Sequence, residues 1–321
     1  SFAGMKAAAA TLTDRSGLTV AVWLTLVGFA AKAGLFPLHI WLPKAHPVAP
    51  APASALLSGI LTKSGVFGLI VICANLMQGD CWFGDALLTL GAITMFLGAL
   101  LALFSVDLKR VLACSSLSQI GFITVGLSMM VMLAQEGSLA AYGSVMHMMN
   151  HSLIKLALFP AAGVIHLSTH SFDLNDIRGF GRNKPMLALI MGVPMLSLAG
   201  LPLLNGYVSK TLLHESIVEF IHLSGAWAWA YTALEWLFLF AGGLLAVFIL
   251  VVILYLCGVS QIACLVIGVV GATVVVWQTF AMNRKYGQYG LMKRGAIRRH
   301  PRYLLNRRSV YQLFHQLNSS R

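Results

Sequence analysis

Four lysines lie inside long apolar stretches of this sequence, where a charged side chain is costly to bury. Lys32 lies in V-G-F-A-A-K-A-G-L-F-P, Lys63 in L-L-S-G-I-L-T-K-S-G-V-F-G and Lys155 in N-H-S-L-I-K-L-A-L-F-P, while Lys210 follows a Gly/Pro-rich segment. Ionisable groups inside membrane helices are rare and are functional by default. Burial penalises the charged form of an amine. A lysine in such a position can therefore load and release a proton.

Two histidines extend one of these positions into a stripe. His147, His151 and Lys155 follow one another at four-residue steps, so they share one face of a helix. Successive members are separated by about 6 Å of rise, which suits a proton relay through intervening water. Histidine titrates near neutral pH, which makes it a natural intermediate carrier. His39 is a further candidate, whereas His46, among several prolines, is expected in a loop. The alternatives are structural histidines bonded to a neighbouring helix and lysines that snorkel to the headgroups.

The same residue types do not indicate a metal or cofactor site. A metal bound by His147 and His151 would need further His, Cys or carboxylate ligands, and none lies nearby on this helix. The five cysteines form no C-x-x-C pair and most lie inside apolar runs, so neither a zinc site nor a disulfide scaffold is expected. No motif indicates flavin, nicotinamide, quinone or iron–sulfur binding. We therefore expect no cofactor and no metal.

The elements that must position these residues are membrane helices. Hydrophobic residues make up 58% of the 321 residues and charged residues only 10%, unlike the balance in soluble domains. Apolar runs cover residues 18–41, 50–77, 83–106, 111–134, 138–167, 186–221, 227–257 and 260–282. Backbone groups must be satisfied within lipid, and no run shows the alternation of a membrane barrel. The sequence predicts an all-α polytopic membrane helix bundle with about eight transmembrane helices.

Two of these runs are interrupted in similar ways. Residues 32–44 and 198–210 share an A-G-L-(x)-P-L core with a lysine nearby. In each core a proline removes a helix hydrogen bond and glycines loosen the backbone. Matched breaks in two halves of a chain indicate an inverted-repeat transporter fold with its site at mid-membrane. We expect both helices to be broken, around Gly34–Pro37 and Gly200–Gly206.

Charged residues are sorted between the two ends of the predicted bundle. Alternate loops hold Lys and Arg: Lys44, Lys109, Arg110, Arg178, Arg182 and Lys184. The opposite loops hold acids only: Asp80, Asp85 and Glu136. The lysine-bearing side should face the cytoplasm.

Residues 283–321 hold ten Lys/Arg and no acid, yet eight full spans would place them on the other side. We expect this tail to be a cytoplasmic arm near anionic lipid, and expect no nucleic-acid partner.

Residues 31–59, A-K-A-G-L-F-P-L-H-I-W-L-P-K-A-H-P-V-A-P-A-P-A-S-A-L-L-S-G, closely resemble a known family. It comprises antiporter-like subunits of respiratory complex I, multisubunit cation antiporters and membrane-bound hydrogenases. Four further segments agree with it, at residues 56–68, 107–121, 147–163 and 197–210. The amino-acid sequence of the first segment is most similar to the hydrogenase-4 or formate hydrogenlyase branch of this family.

The resemblance implies a fold of fourteen helices with two inverted five-helix repeats, in which the seventh and twelfth helices are broken. It places the candidate residues on family helices seven, eight, eleven and twelve: Lys32; Lys63; His147, His151 and Lys155; and Lys210. In the family these positions form a hydrated polar axis, in which Lys63 would link two half-channels and Lys210 would gate the exit. The family's first six helices are absent from this chain, and with them the glutamate that partners the lysine matched by Lys32.

The resemblance also sets the expected organisation and function. We expect an N-terminal lead-in at 1–15, a partial proton-translocating antiporter-like domain at 16–257, an additional apolar helix at 258–282 and a basic tail at 283–321. The expected protein is a proton-conducting inner-membrane subunit of an energy-converting redox complex, without a redox centre of its own. Its expected partners are the other membrane subunits of that pump. A Na⁺/H⁺ or K⁺/H⁺ antiporter subunit, disfavoured by the few membrane carboxylates, and a truncated non-conducting scaffold are the alternatives.

If positive charge governs orientation, the basic tail lies on the same side of the membrane as Arg182 and Lys184. A cysteine introduced at Ser309, in a background without the native cysteines, should then react with a membrane-impermeant maleimide only from the cytoplasmic side. A cysteine at Lys184 provides the same-side reference. Labelling of the tail from the opposite side would contradict this placement and would show that all the apolar runs span.

Overall fold

The computed structural model describes residues 2–11, 16–260, 262–264, 266–271 and 273. The tail expected at 283–321 lies outside these residues. The named helices of the described part are α1 (Phe2–Thr11), α2 (Ser16–Ala33), α3 (Trp41–Val48), α4 (Ala51–Leu56), α5 (Thr62–Asn75), α6 (Cys81–Leu103), α7 (Leu108–Leu133), α8 (Ser138–Thr169), α9 (Phe180–Asn183), α10 (Pro185–Ala199), α11 (Asn205–Leu223) and α12 (Ala228–Leu256). A π-helical segment, Leu57–Leu61, joins α4 to α5.

Six helical segments of the described part are long and apolar enough to cross a membrane. They are Ser16–Ala33, Ala51–Asn75, Cys81–Leu103, Leu108–Glu136, Ser138–Thr169 and Gly225–Leu256. The sequence predicts about eight spans, and the difference has two causes. The run at 186–221 is divided into the shorter helices α10 and α11, and the run at 260–282 is only partly described. The prediction of an all-α polytopic membrane bundle is confirmed.

The first predicted break lies between α2 and α3. α2 ends at Ala33, Gly34 adopts a φ of 83°, and residues 35–40 precede α3 without forming an α-helix. Glycine takes this left-handed conformation without the steric cost that a side chain adds. The N–H of Phe36 donates to Thr94 Oγ1 on α6 at 2.9 Å, so the neighbouring helix satisfies a backbone group in the break. The predicted break at this position is confirmed.

The second break brings two helix ends together inside the bundle. α10 ends at Ala199, Gly200 has a φ of 87°, and α11 begins at Asn205. Gly206 packs so closely that a methyl group in place of its hydrogen would overlap the backbone oxygen of Ser197. Its N–H donates to Ser197 Oγ at 3.2 Å. This break is also confirmed, and α11 starts beside the end of α10 instead of continuing it.

α7 is buried along nearly its whole length, although it contains several polar residues. Apolar side chains form two clusters in the bundle. One includes α7 residues from Leu108 to Cys114, and the other includes α7 residues from Leu117 to Leu133. The polar residues between positions 115 and 119 therefore lie where the two clusters meet. This placement provides polar groups in the middle of an otherwise apolar bundle.

Replacing Gly206 by alanine should destabilise the second break. The added methyl group would overlap a backbone oxygen, so one of the two helices must shift, and overpacking of this kind costs about 1–3 kcal/mol. Gly192→Ala on α10 is the matched control, because no described atom lies within 4 Å of the position its methyl group would take. Thermal unfolding of the purified chain in detergent should give a lower midpoint for Gly206→Ala only. Equal midpoints for the two variants would contradict the close packing.

Candidate functional site

Lys63 lies at the start of α5, directly after the π-helical segment. The Lys63 Nζ donates to the backbone oxygen of Ser58, five residues earlier in the chain. The backbone hydrogen bonds of a π-helical turn also join residues five apart. Nζ also lies 2.8 Å from Nδ1 of His151 on α8. Only 7% of Lys63 is exposed, so its amine is held inside the bundle and does not extend to the headgroups. π-helical segments are frequent at functional sites.

Lys155 is completely buried on α8 and its amine ends against α7. Nζ donates to the backbone oxygen of Leu112 and to Ser115 Oγ, both at 2.7 Å. The same backbone oxygen accepts from Ser116 Oγ at 2.9 Å, and Ser116 Oγ lies 2.7 Å from Ser58 Oγ. Hydroxyl groups thus connect the surroundings of Lys155 with the π-helical segment.

His151 and His147 occupy successive turns of α8 and are 1% and 3% exposed. His147 contacts two other helices. Its Nε2 lies 2.7 Å from Gln119 Oε1 on α7, and its Nδ1 lies 2.9 Å from Ser209 Oγ on α11. An amide oxygen can only accept, so Nε2 donates there, and in the neutral ring Nδ1 accepts from the Ser209 hydroxyl. His147 therefore joins three helices through one side chain.

Lys210 binds the free end of the broken helix. Its Nζ donates to the backbone oxygens of Leu198 at 2.8 Å and Ala199 at 3.4 Å. The last carbonyls of a helix lack partners within the helix and carry its negative partial charge, so both effects favour a cation there. Nζ also lies 5.2 Å from the centre of the Phe122 ring on α7, within the range of a cation–π contact. Lys210 is half-buried, and its amine is directed to the break.

The structure brings five of the sequence-predicted residues together around α7: Lys63, His147, His151, Lys155 and Lys210. We call these five residues the Lys/His series. Lys32 is exposed on α2, and the half-buried His39 lies beside Phe36 with 5.7 Å between the ring centres. Within the described residues, no hydrogen bond joins Lys32 or His39 to the series. A relay role for each predicted residue stays a prediction.

The sequence does not reveal the side chains that hold the series in place. Gln119 and Ser209 both contact His147. Asn150 donates from Nδ2 to the backbone oxygen of Asn205, at the start of α11, at 2.9 Å. In the sequence, these side chains are marked only as uncharged polar residues inside apolar runs, such as S-S-L-S-Q on α7. That signal marks candidates but does not indicate which residues on other helices they contact.

His46 differs from its expected place in a loop. It belongs to α3, whose helix includes Pro47, and it is completely buried. Its ring stacks on Phe159 of α8, with 4.6 Å between the ring centres. Neither ring nitrogen has a hydrogen-bond partner among the described residues. The contact that the structure gives this ring is therefore aromatic packing between α3 and α8.

Neutral groups hold the buried lysines of the series. In the described part of the chain, their contacts are backbone oxygens, hydroxyl groups and the His151 ring, and no carboxylate lies within 4 Å of them. A nearby carboxylate would favour the charged amine more strongly than these neutral acceptors do. The Lys63 amine and the His151 ring therefore lie within hydrogen-bond distance of each other, with no carboxylate beside them to retain a proton. Among the described residues, no three His, Cys, Asp or Glu side chains form a group that could hold a metal ion.

Comparison with known proteins covers most of the chain. Residues 1–237 match the family described as NADH:quinone oxidoreductase/Mrp antiporter, TM. An uncharacterized protein of Mycobacterium tuberculosis is 40% identical over 210 residues, which are 63% of this chain and 33% of the relative. Hydrogenase-4 component B of Escherichia coli is 37% identical over 216 residues, which are 64% of this chain and 32% of the relative. The chain thus spans about a third of the length of these curated relatives.

Two further matches concern the fold and the C-terminal part. The solved structure of the Mrp complex from Dietzia sp. DQ12-45-1b is similar with a TM-score of 0.68 at 25% identity, over 78% of this chain and 43% of that chain. Residues 232–309 match a domain of unknown function, DUF4133. This second match begins within α12 and continues beyond the described residues. The domain boundary expected at residue 257 stays a prediction.

Gln119→Ala should weaken the association of α7 with α8. Without the amide oxygen, the Nε2–H of His147 loses its acceptor in a buried position, which costs about 1–3 kcal/mol. Ser128→Ala is the matched control, because Ser128 is buried on the same helix and its hydroxyl donates to the weakly accepting sulfur of Met132 at 3.4 Å. The midpoint of thermal unfolding should fall for Gln119→Ala and change little for Ser128→Ala. The reverse order would contradict the structural role of the His147 contact.

Proposed function

The chain belongs to the NADH:quinone oxidoreductase/Mrp antiporter membrane family, and we propose that it is a proton-conducting subunit of an energy-converting redox complex of the hydrogenase-4 or formate hydrogenlyase type. It is a multi-pass membrane protein, and the proposed location is a bacterial inner membrane. One observation carries the proposal. The Lys63 amine lies 2.8 Å from the His151 ring, within a series of buried titratable side chains.

The Lys63–His151 contact lets a proton pass between two carriers. Protonated Lys63 donates an N–H to Nδ1 of a neutral His151 ring that has its own proton on Nε2. Transfer breaks the Lys63 N–H bond and forms an Nδ1–H bond, which gives a neutral amine and an imidazolium. Loss of the Nε2 proton then leaves a neutral ring with its proton on Nδ1. Nε2 is buried without a hydrogen-bond partner among the described residues, and in this proposal a water molecule inside the bundle accepts its proton.

The other residues of the Lys/His series would carry the proton onward on both sides of the Lys63–His151 contact. The step from His151 to His147 spans one turn of α8, about 6 Å of rise, and in this proposal a water molecule bridges it. His147 contacts Ser209, and Lys210 is the next residue on α11. On the other side, Lys155 lies one turn beyond His151 and connects through the α7 hydroxyls to the π-helical segment. The proposed path therefore runs from Lys155 through the centre of the bundle to Lys210.

A Na⁺/H⁺ or K⁺/H⁺ antiporter subunit is the second candidate, because the Mrp complex is similar in structure. The Lys/His series favours protons. It presents amines and imidazoles, which repel a metal cation when they are charged. Hard cations are bound by oxygen ligands, commonly carboxylates, and no carboxylate lies within 4 Å of these lysines and histidines in the described structure.

A non-conducting scaffold is the third candidate. The exposed position of Lys32 favours it, because this lysine has no place in the described series. Further membrane subunits are proposed as partners, because similar proteins include hydrogenase-4 component B and a chain of the Mrp complex.

Proton flux in liposomes separates the three candidates. The chain is purified from its native membrane with the proteins that accompany it and is reconstituted with a pH-sensitive dye inside. The proposal predicts that an imposed membrane potential drives proton movement without sodium. Proton movement that requires a sodium gradient would replace the proposal with the antiporter. An assembled preparation without any flux would replace it with the scaffold.

Lys63→Met should abolish proton movement while the complex still assembles, because methionine keeps the apolar stem and removes the titrating group. Lys63→Arg should also impair it, since arginine stays protonated and cannot release its proton. Lys44→Met is the matched control, because Lys44 is exposed on α3, and we expect it to conduct at the parental rate. Co-purification of the partner subunits is measured beside flux. Parental flux in Lys63→Met would exclude Lys63 as an obligatory carrier.

A further inference from the structure

A second polar arrangement lies beyond Lys210, toward the end of the bundle where α11 ends and α6 and α12 begin. Glu235 is 7% exposed and is the only charged residue of α12. His214, which is 8% exposed, lies four residues after Lys210 on α11. His214 Nε2 and Glu235 Oε1 are 3.0 Å apart, the one contact between a basic and an acidic side chain in the described structure. A buried pair adds little stability over apolar packing, so stability does not account for a carboxylate here.

A second polar contact lies one helical turn from Glu235, nearer the surface of the bundle. Tyr231 lies one turn earlier on α12, and its hydroxyl donates to Asp85 Oδ1 at 2.9 Å. Asp85 is exposed near the start of α6. The positions Lys210, His214, Glu235, Tyr231 and Asp85 therefore lead stepwise from the middle of the bundle to one end of it.

Aromatic rings fill the space beside the first of these steps. The Phe122 ring, 5.2 Å from the Lys210 Nζ, packs edge-on against Phe238 at 4.6 Å. The Phe238 ring lies 6.2 Å from the His214 ring. Lys210 and His214 are one helical turn apart, about 6 Å of rise. No hydrogen bond of the described structure joins the two side chains, so a transfer between them requires the flexible lysine stem to leave the end of α10.

Three loops at the end of the bundle that Asp85 reaches carry no positive charge. The loops 76–80, 134–137 and 224–227 hold no Lys or Arg. The other titratable side chains on the nearby helices are Cys81 on α6, Tyr142 and His147 on α8, and Tyr207, Glu215, Glu219 and His222 on α11. α10 holds none, and neither does α7 from residue 117 onward. Acidic groups concentrate protons at a surface, and the distribution of Lys and Arg places this end away from the cytoplasm.

We propose that His214 and Glu235 form the last proton-carrying station of the series, and that Tyr231 and Asp85 lead from it to the non-cytoplasmic surface. This inference rests on the proposed function. In the transfer, an N–H bond of the Lys210 ammonium breaks and an N–H bond forms at His214 Nδ1. At the same time the Nε2–H bond breaks and an O–H bond forms at Glu235 Oε1. The products are a neutral amine, a neutral imidazole and a carboxylic acid, and release of the acid proton toward Asp85 restores the carboxylate.

Glu235→Gln tests the station in the same flux assay with the native complex. Glutamine keeps an oxygen that accepts from His214 Nε2–H but cannot take up a proton, so proton movement should fall to the level of protein-free liposomes. Glu235→Asp should recover part of it. Glu215→Gln is the matched control, because Glu215 is half-buried beside His214 on α11, and it should conduct at the parental rate. Parental flux in Glu235→Gln overturns this inference and leaves the proposed function standing. A parental complex without flux overturns both.

A double variant separates proton transfer from a purely structural role. If the pair only joins α11 to α12, His214→Leu/Glu235→Leu should assemble and conduct normally, because replacing both partners of a buried pair by apolar groups is tolerated. The proposal expects an assembled complex without proton movement. Infrared difference spectra after a pH step provide an independent readout. A carboxylic acid band should be present in the parent and in Glu215→Gln and absent from Glu235→Gln, and its persistence in Glu235→Gln overturns the assignment.

Discussion

Buried lysine amines in the described part of the chain end on backbone carbonyl oxygens, and the rest of the site depends on this interaction. Lys63 uses an oxygen of the π-helical segment, Lys210 uses the free end of α10, and Lys109 donates to the C-terminal end of α3 at 2.8 Å. An amine cannot be buried without acceptors, and a regular helix already engages its own carbonyls. The breaks and the π-helical segment therefore supply carbonyl oxygens that a regular span would already engage in its own hydrogen bonds. Lys155 instead uses an α7 oxygen that two serine hydroxyls also approach.

The choice of carbonyl oxygens over carboxylates has a chemical consequence. A carboxylate beside a lysine stabilises the ammonium selectively, whereas a neutral dipole distinguishes less between the charged and the neutral amine. A carrier must visit both states, so neutral partners suit the middle of a path. The carboxylate of Glu235 contacts a histidine near one end of the bundle. In the proposed path, a negative charge there would draw a proton onward without fixing it on any lysine of the series.

Local spacing made part of this arrangement predictable. The two breaks follow from Gly and Pro within apolar runs, and the stripe on α8 follows from residues four apart. Contacts between distant helices were not predictable, because nothing in the spacing pairs Gln119 or Ser209 with a histidine on α8. Lys32 and Lys63 have similar apolar surroundings in the sequence, yet only Lys63 lies inside. The difference is the rotation of α2, which buries Ala33 against α5 and leaves Lys32 exposed.

α7 connects all parts of the Lys/His series through a short stretch of chain. Ser115 and Ser116 contact Lys155 and the π-helical segment, Gln119 contacts His147, and Phe122 lies beside Lys210. These residues span about two helical turns, so a displacement of α7 relative to α8 and α11 would alter every one of these contacts together. Networks that share one element respond to substitutions in a non-additive way. The proposed path is therefore best regarded as a single cooperative unit, in which the position of α7 decides whether successive members of the Lys/His series lie within reach of one another.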